Sequence, residues 1–171
     1  MKLPILLSSI ATVSQATTTL FGKCPTPPTI QTFFPNLYLG TWYEIARDQW
    51  IPFELMATCT TATYTNNSDG TIGVTNRAWY WYYFFSYNVA SGKAGIASPG
   101  KLTVSFNPFG QTAADVTGKT PNYNILLTDY TGYSVVYSCA STWLGLAIDE
   151  SMWLLGRQQT MTDGAYTAIK N

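Results

Sequence analysis

From Leu39 to Arg157 the chain alternates apolar and polar positions in short runs divided by turn-forming residues. A period of two sends successive side chains to opposite faces of a strand, so each run predicts a β-strand with one buried face. Ile72, Val74 and Asn76 alternate with Thr71, Gly73 and Thr75, and Lys101 to Phe106 puts Leu102, Val104 and Phe106 on one face. The Thr-rich run from Cys59 to Thr65 ends in Asn66-Asn67-Ser68-Asp69-Gly70, a hairpin signal. Asn124 to Asp129 reads as a strand that turns at Tyr130-Thr131-Gly132. Tyr133, Val135, Tyr137 and Cys139 then alternate again, and Met152 to Arg157 is one more short strand. About eight strands at roughly ten-residue spacing, antiparallel by their hairpin turns, predict an all-β closed barrel or sandwich. Residues 23–36, rich in Pro and Thr, read as an extended arm, and Thr162 to Lys170 is the one segment expected to be helical, with Asp163 as its cap. The chain shows no internal repeat and no linker, and a length of 171 residues fits one domain.

Composition narrows the function classes. Only 11% of residues are charged, nine basic and nine acidic, while 15% are aromatic and none is histidine. Such a balance makes no basic surface for phosphates, so a nucleic-acid partner is not expected. Imidazole-based catalysis and imidazole metal sites are excluded, and no metal or cofactor is expected. Met1-Lys2, an apolar stretch from Leu3 to Val13, and small Ser14 and Ala16 at positions −3 and −1 predict a secretory signal peptide over residues 1–16. The mature domain would then be residues 17–171, secreted and extracellular, with one acidic residue in excess. No stretch is long and apolar enough for a membrane-spanning helix. In an oxidising compartment two of Cys24, Cys59 and Cys139 would pair, in any of three ways. Asn66 opens the sequon Asn66-Asn67-Ser68 and is a candidate glycosylation site.

Three short motifs stand in a specific order: Gly40-Thr41-Trp42 on the first strand, Thr128-Asp129-Tyr130 between the sixth and seventh, and Arg157 closing the last in Trp153-Leu154-Leu155-Gly156-Arg157. Together they resemble the three signatures of the lipocalins. Over roughly residues 22–160 the chain looks most like the apolipoprotein D and bilin-binding branch of that family, including the arm Gly22-Lys23-Cys24-Pro25-Thr26-Pro27-Pro28. The resemblance implies an eight-stranded antiparallel up-and-down barrel, or calyx, with a short or truncated C-terminal helix. It gives Gly40, Trp42, Thr128, Asp129, Tyr130 and Arg157 structural roles, with Trp42 plugging the floor and Arg157 lying on its indole. It also implies a Cys24–Cys139 disulfide. The family partner of Cys59 would fall beyond Asn171, so Cys59 is expected to be a free thiol.

A calyx implies carriage of a small hydrophobic ligand such as a lipid, fatty acid, steroid, retinoid or pigment. Tyr64 and Trp153 match family pocket positions. Asn76 and Phe106 follow from alternation, and Asn76 would be a buried amide in need of a partner. The segment from Trp79 to Tyr87 holds eight rings in nine residues, and the family alignment puts it around a hairpin tip at the open mouth. With Trp50, Phe53, Trp79, Trp81, Phe84 and Trp143 there, the rim is expected to be apolar, either docking on a lipid surface or lipoprotein or folding over the calyx. Two alternatives to the carrier are a thiol-dependent lipid isomerase using Cys59, and a surface-interaction protein dimerised through a Cys59 disulfide. The isomerase is disfavoured because no Lys or Arg lies within five residues of Cys59 to lower its pKa.

Overall fold

The computed structural model describes residues 18–20, 22–48, 51, 54, 56–80, 86–107, 115–142 and 147–170. The expected signal segment and most of the expected rim residues lie outside these. Eight strands carry the fold: β2 (Gly40–Arg47), β3 (Ala57–Asn66), β4 (Ile72–Tyr80), β5 (Ser86–Ser98), β6 (Lys101–Phe106), β7 (Tyr123–Thr128), β8 (Tyr133–Thr142) and β9 (Ala147–Gly156). Each pairs antiparallel with the next, and β9 pairs with both β8 and β2, which closes the barrel and removes its sheet edges. A short strand β1 (Thr18–Leu20) adds outside β9, and α1 (Pro35–Tyr38) and α2 (Asp163–Lys170) flank the barrel strands in sequence. The last barrel strand is longer than its sequence pattern, starting at Ala147 rather than Met152.

Strand direction follows from the turns. At Asn67–Thr71 the Asn67 N–H donates to the Thr71 carbonyl (3.0 Å), and Gly70 takes the left-handed backbone (φ 80°) that the hairpin requires. β6 and β7 are joined by only two paired residues on each side, Lys101 with Asn124 and Leu102 with Tyr123. The Asn122 side-chain amide extends the join, donating to the Val104 carbonyl (3.0 Å) and accepting from its N–H (2.8 Å) as a strand would.

The alternation in β8 is real, but its apolar set does not line the barrel. Ser134 and Val136 are fully buried, Val136 in the main core, and Ser138 lines the interior, so the inward face of β8 carries two serines. Tyr137 and Cys139 belong to a second cluster with Ile148 and Met152 on the outer face. Cys24 bonds to Cys139 there, 115 residues away in sequence, and ties the N-terminal arm across the barrel. The arm is further fastened by Ile30 N–H to the Ile125 carbonyl (3.2 Å) and Thr29 Oγ1 to the Pro99 carbonyl (3.0 Å). At α2 the cap is Thr162 rather than Asp163. The Thr162 hydroxyl accepts the Ala165 N–H (3.3 Å), and Asp163 is the first helical residue, where an acidic side chain complements the helix dipole.

Candidate ligand-binding site

One end of the barrel is shut by aromatic packing. Trp42 is inaccessible to solvent, Tyr38 packs on it at 5.0 Å between ring centres, and the Trp42 indole N–H donates to the Tyr38 carbonyl (2.9 Å). The Arg157 guanidinium lies 3.7 Å over the Trp42 ring and donates to the carbonyls of Tyr130 (3.0 Å), Thr41 (3.1 Å) and Leu37 (2.9 Å). That reach depends on Gly40, whose φ of 92° suits glycine and whose missing Cβ would sit 3.4 Å from Arg157 Nη1. The Asp129 carboxylate closes the adjoining turn by accepting the N–H groups of Thr131, Gly132 and Tyr133 at 2.7–3.1 Å. Burial alone would raise its pKa, but these N–H groups hold it below the ordinary value. Above the plug, Tyr64 donates to or accepts from Tyr123 (2.6 Å), and Tyr38 bonds likewise to Ser134 (2.9 Å). Burial pushes the Tyr38 hydroxyl up to about 12, and those of Tyr64 and Tyr123 higher, so all three stay neutral.

Above this floor is a cavity of about 450 Å³. It meets apolar groups from Val74, Ala78, Tyr80, Val104, Phe106 and Leu155, among others. All four residues expected to touch ligand, Tyr64, Asn76, Phe106 and Trp153, line it. Their chemistry differs from one to the next. The Tyr64 hydroxyl is already taken by Tyr123, whereas Asn76 Oδ1 is buried with no hydrogen-bond partner.

Sequence reading missed a polar cluster on one wall. A bulge in β2 makes this cluster. Glu44 faces Leu155 and Arg47 faces Trp153, with Ile45 the extra residue. Residues three apart in a regular strand face opposite ways, so the bulge is what brings Glu44 and Arg47 onto the same inward side. Their side chains form an ion pair. Glu54, from the β2–β3 connection, is 7% exposed and accepts the Trp153 indole N–H (2.9 Å), with Arg47 Nε 3.8 Å from the same oxygen. Arg47 also donates to the Glu54 and Ala57 carbonyls (3.0 and 3.1 Å). Burial pushes the Glu54 carboxyl up to about 7, with Glu44 adding to the rise and the Trp153 bond and Arg47 opposing it. The sequence signal available was Glu54 itself, the one charge in the apolar run Trp50–Met56. That run had been expected at the rim, but Ile51 and Glu54 are buried, so at those two residues it turns inward.

A family model for the lipocalin-like domain matches residues 36–171. The chain belongs to the lipocalin family. Apolipoprotein D of Oryctolagus cuniculus is 32% identical over 168 residues, covering 96% of this lipocalin and 82% of the relative. Among solved structures, insecticyanin of the tobacco hornworm Manduca sexta superposes with a TM-score of 0.72 at 22% identity, covering 91% of this chain and 79% of that one. The tryptamine complex of the amine-binding protein of Rhodnius prolixus superposes with a TM-score of 0.63 at 17% identity, covering 86% and 77%. These two likenesses establish the fold alone. Membership of this family agrees with carriage and not with the isomerase alternative.

In this lipocalin the ends of β2, β4, β6 and β8 and the starts of β3, β5, β7 and β9 lie away from the Trp42 plug, as the antiparallel order requires. Trp50, Phe53, Trp81, Phe84 and Trp143, the expected rim, lie outside the described residues. Trp79 lies one residue before the end of β4 that is away from the plug, paired with Tyr87. It is within β4, half-buried, packing edge-on against Tyr87 at 5.1 Å, and Arg77 covers the same Tyr87 ring at 4.6 Å. Cys59 is a free, exposed cysteine among the described residues, at a register shift between β3 and β4. Asn66 is exposed at the end of β3.

Proposed function

We propose that this lipocalin is a secreted carrier that holds one small hydrophobic ligand in the calyx, without catalysing its conversion. The observation that carries this reading is Asn76. A buried amide oxygen without a partner costs about 1–3 kcal/mol, and here it faces a largely apolar cavity of about 450 Å³. A ligand with an apolar body and one polar end supplies what both lack. The Cys24–Cys139 disulfide supports an oxidising, extracellular setting, and in the Rhodnius protein the same fold holds tryptamine. Mass spectrometry of small molecules extracted from the secreted protein should find a bound ligand. The purified chain should give saturable Nile red fluorescence, and its displacement by decanol, whose hydroxyl can donate to the Asn76 oxygen, should weaken several-fold in Asn76→Leu. No extractable ligand together with no saturable probe binding would refute carriage.

The aromatic residues between the strand ends support a second element, docking of the mouth on lipid surfaces during ligand transfer. Liposome flotation tests it. Binding by the intact protein that drops on Trp81→Ser with Phe84→Ser supports docking, and unchanged binding ends the idea. Glycosylation at Asn66 and dimerisation through Cys59 are tested on the secreted protein by glycosidase treatment and by a non-reducing gel.

A further inference from the structure

We infer that the calyx selects ligands whose polar end is a cationic hydrogen-bond donor, an alkyl- or arylammonium, and discriminates against carboxylates. This rests on the carrier reading and names the ligand class within it. The first support is the set of unmet groups. Three buried side-chain oxygens around the cavity have no partner while Glu54 is ionised: Glu44 Oε2, Thr60 Oγ1 and Asn76 Oδ1; a protonated Glu54 can donate to Glu44. The Glu44 side chain is only 9% exposed. A carboxylate and an amide oxygen only accept hydrogen bonds, and a hydroxyl does either. What they lack is therefore a donor, and a ligand carboxylate brings none.

Charge is the second support. Glu44 and Glu54 line the cavity and are joined by Arg47, a connected cluster that sums to −1 when both carboxyls are ionised; Arg77 is the other charged residue of the lining. The charges acting on Glu54 are those of Glu44 and Arg47; of the other acidic groups on the elements around it, Glu150 accepts from the Tyr137 hydroxyl and Asp48 from the Met152 N–H. β9 brings the Trp153 indole, and the Tyr64 and Tyr123 hydroxyls are neutral and bonded to each other. Arg77 also borders the cavity, but it belongs to the opposite face of β4 from Asn76, is exposed, and has its guanidinium stacked on Tyr87. Nor is Arg47 free to receive an anion. Nη1 is held by Glu44, Nη2 by the carbonyls of Glu54 and Ala57, and Nε lies beside Glu54. An ammonium brings three donors and the missing positive charge, whereas a carboxylate would face like charge where water is excluded.

The same wall makes the preference depend on pH. Glu54 takes up its proton as pH falls through about 7, and the local charge goes from −1 to zero. An alkylammonium and an alkanoate both keep their charge between about pH 6 and pH 8, so a change over that interval reports the protein. The test is displacement of Nile red by decylamine, decanol and decanoate, which share one chain and differ in the end group. At about pH 8, decylamine should compete about tenfold more strongly than decanol, and decanoate more weakly than either. At about pH 6 the amine advantage should shrink to about threefold or less. Glu54→Gln, which still accepts the Trp153 N–H, should abolish the pH difference, and Glu44→Gln with Glu54→Gln should level amine and alcohol. Decanoate binding as tightly as decylamine, or an amine preference unchanged in Glu54→Gln, overturns the inference. If Nile red and decanol bind while the amine is not preferred, carriage survives and only this selectivity falls. If no probe binds, both fall.

Discussion

Arg157 holds together parts of the chain far apart in sequence. Its guanidinium bonds to carbonyls on α1, β2 and the β7–β8 turn while covering Trp42. Arg157→Ala removes the stacking and three charge-assisted bonds and should cost about 2–4 kcal/mol. Arg157→Lys should recover only part of this, because an ammonium cannot reach three carbonyls in one plane. Urea unfolding checks both. Glu54 is the residue at which pH enters stability. Its carboxyl keeps the proton up to about 7, against an ordinary 4.5. The native state therefore binds that proton more tightly than the unfolded chain. This contribution is fully present below about 4.5 and is lost as pH rises through about 7. Glu54→Gln should thus gain on the unaltered protein as pH rises from about 5 to 8, by on the order of 2–3 kcal/mol. Melting temperatures measured in parallel across that interval check the sign.

At the scale of elements, the informative features are irregularities that no periodic pattern announces. The β2 bulge at Ile45 turns Glu44 and Arg47 to the same side, and with them the polar wall. Shortening β2 by deleting Ile45 restores regular alternation, so it should expel Arg47 from the interior and leave Glu44 and Glu54 without their cation. The register shift in β3 contains Cys59 at φ 51°, a left-handed backbone that costs a residue with a Cβ about 1 kcal/mol. Cys59→Gly should raise stability by roughly 0.5–1 kcal/mol in urea unfolding. A loss instead would mean that Cys59 packs more tightly than its exposure implies. β8 makes a related point. Its apolar alternation is legible, but which face looks inward is set by closure with β7 and β9, and there the apolar set serves the arm and its disulfide.

For the whole molecule, the Cys24–Cys139 bond closes a loop with a sequence separation of 115 residues and stitches the arm to the outer face of β8. By the loop-entropy model its reduction should cost about 4–5 kcal/mol. Melting with and without reductant measures this. A smaller loss would show that the arm's bonds to Ile125 and Pro99 already confine it.

The sequence by itself indicated most of the strands, their antiparallel order and the plug, while no alternation marked β5 or the first half of β9. Strand alternation and turn residues are local, and Gly40, Trp42 and Arg157 announce their roles through fixed motifs. It also singled out the four cavity residues, since Tyr64, Asn76, Phe106 and Trp153 follow from family position and parity. Tertiary structure alone decided what those residues are free to do. Closure gave the Tyr64 hydroxyl to Tyr123 and left the Asn76 oxygen unmet. A bulge and an inward turn assembled Glu44, Arg47 and Glu54, ten residues apart in sequence, into one charged wall. The physical reason is that parity states which neighbours share a strand face. Desolvation, and the partner that each buried polar group finds, depend on groups that meet only when the barrel closes.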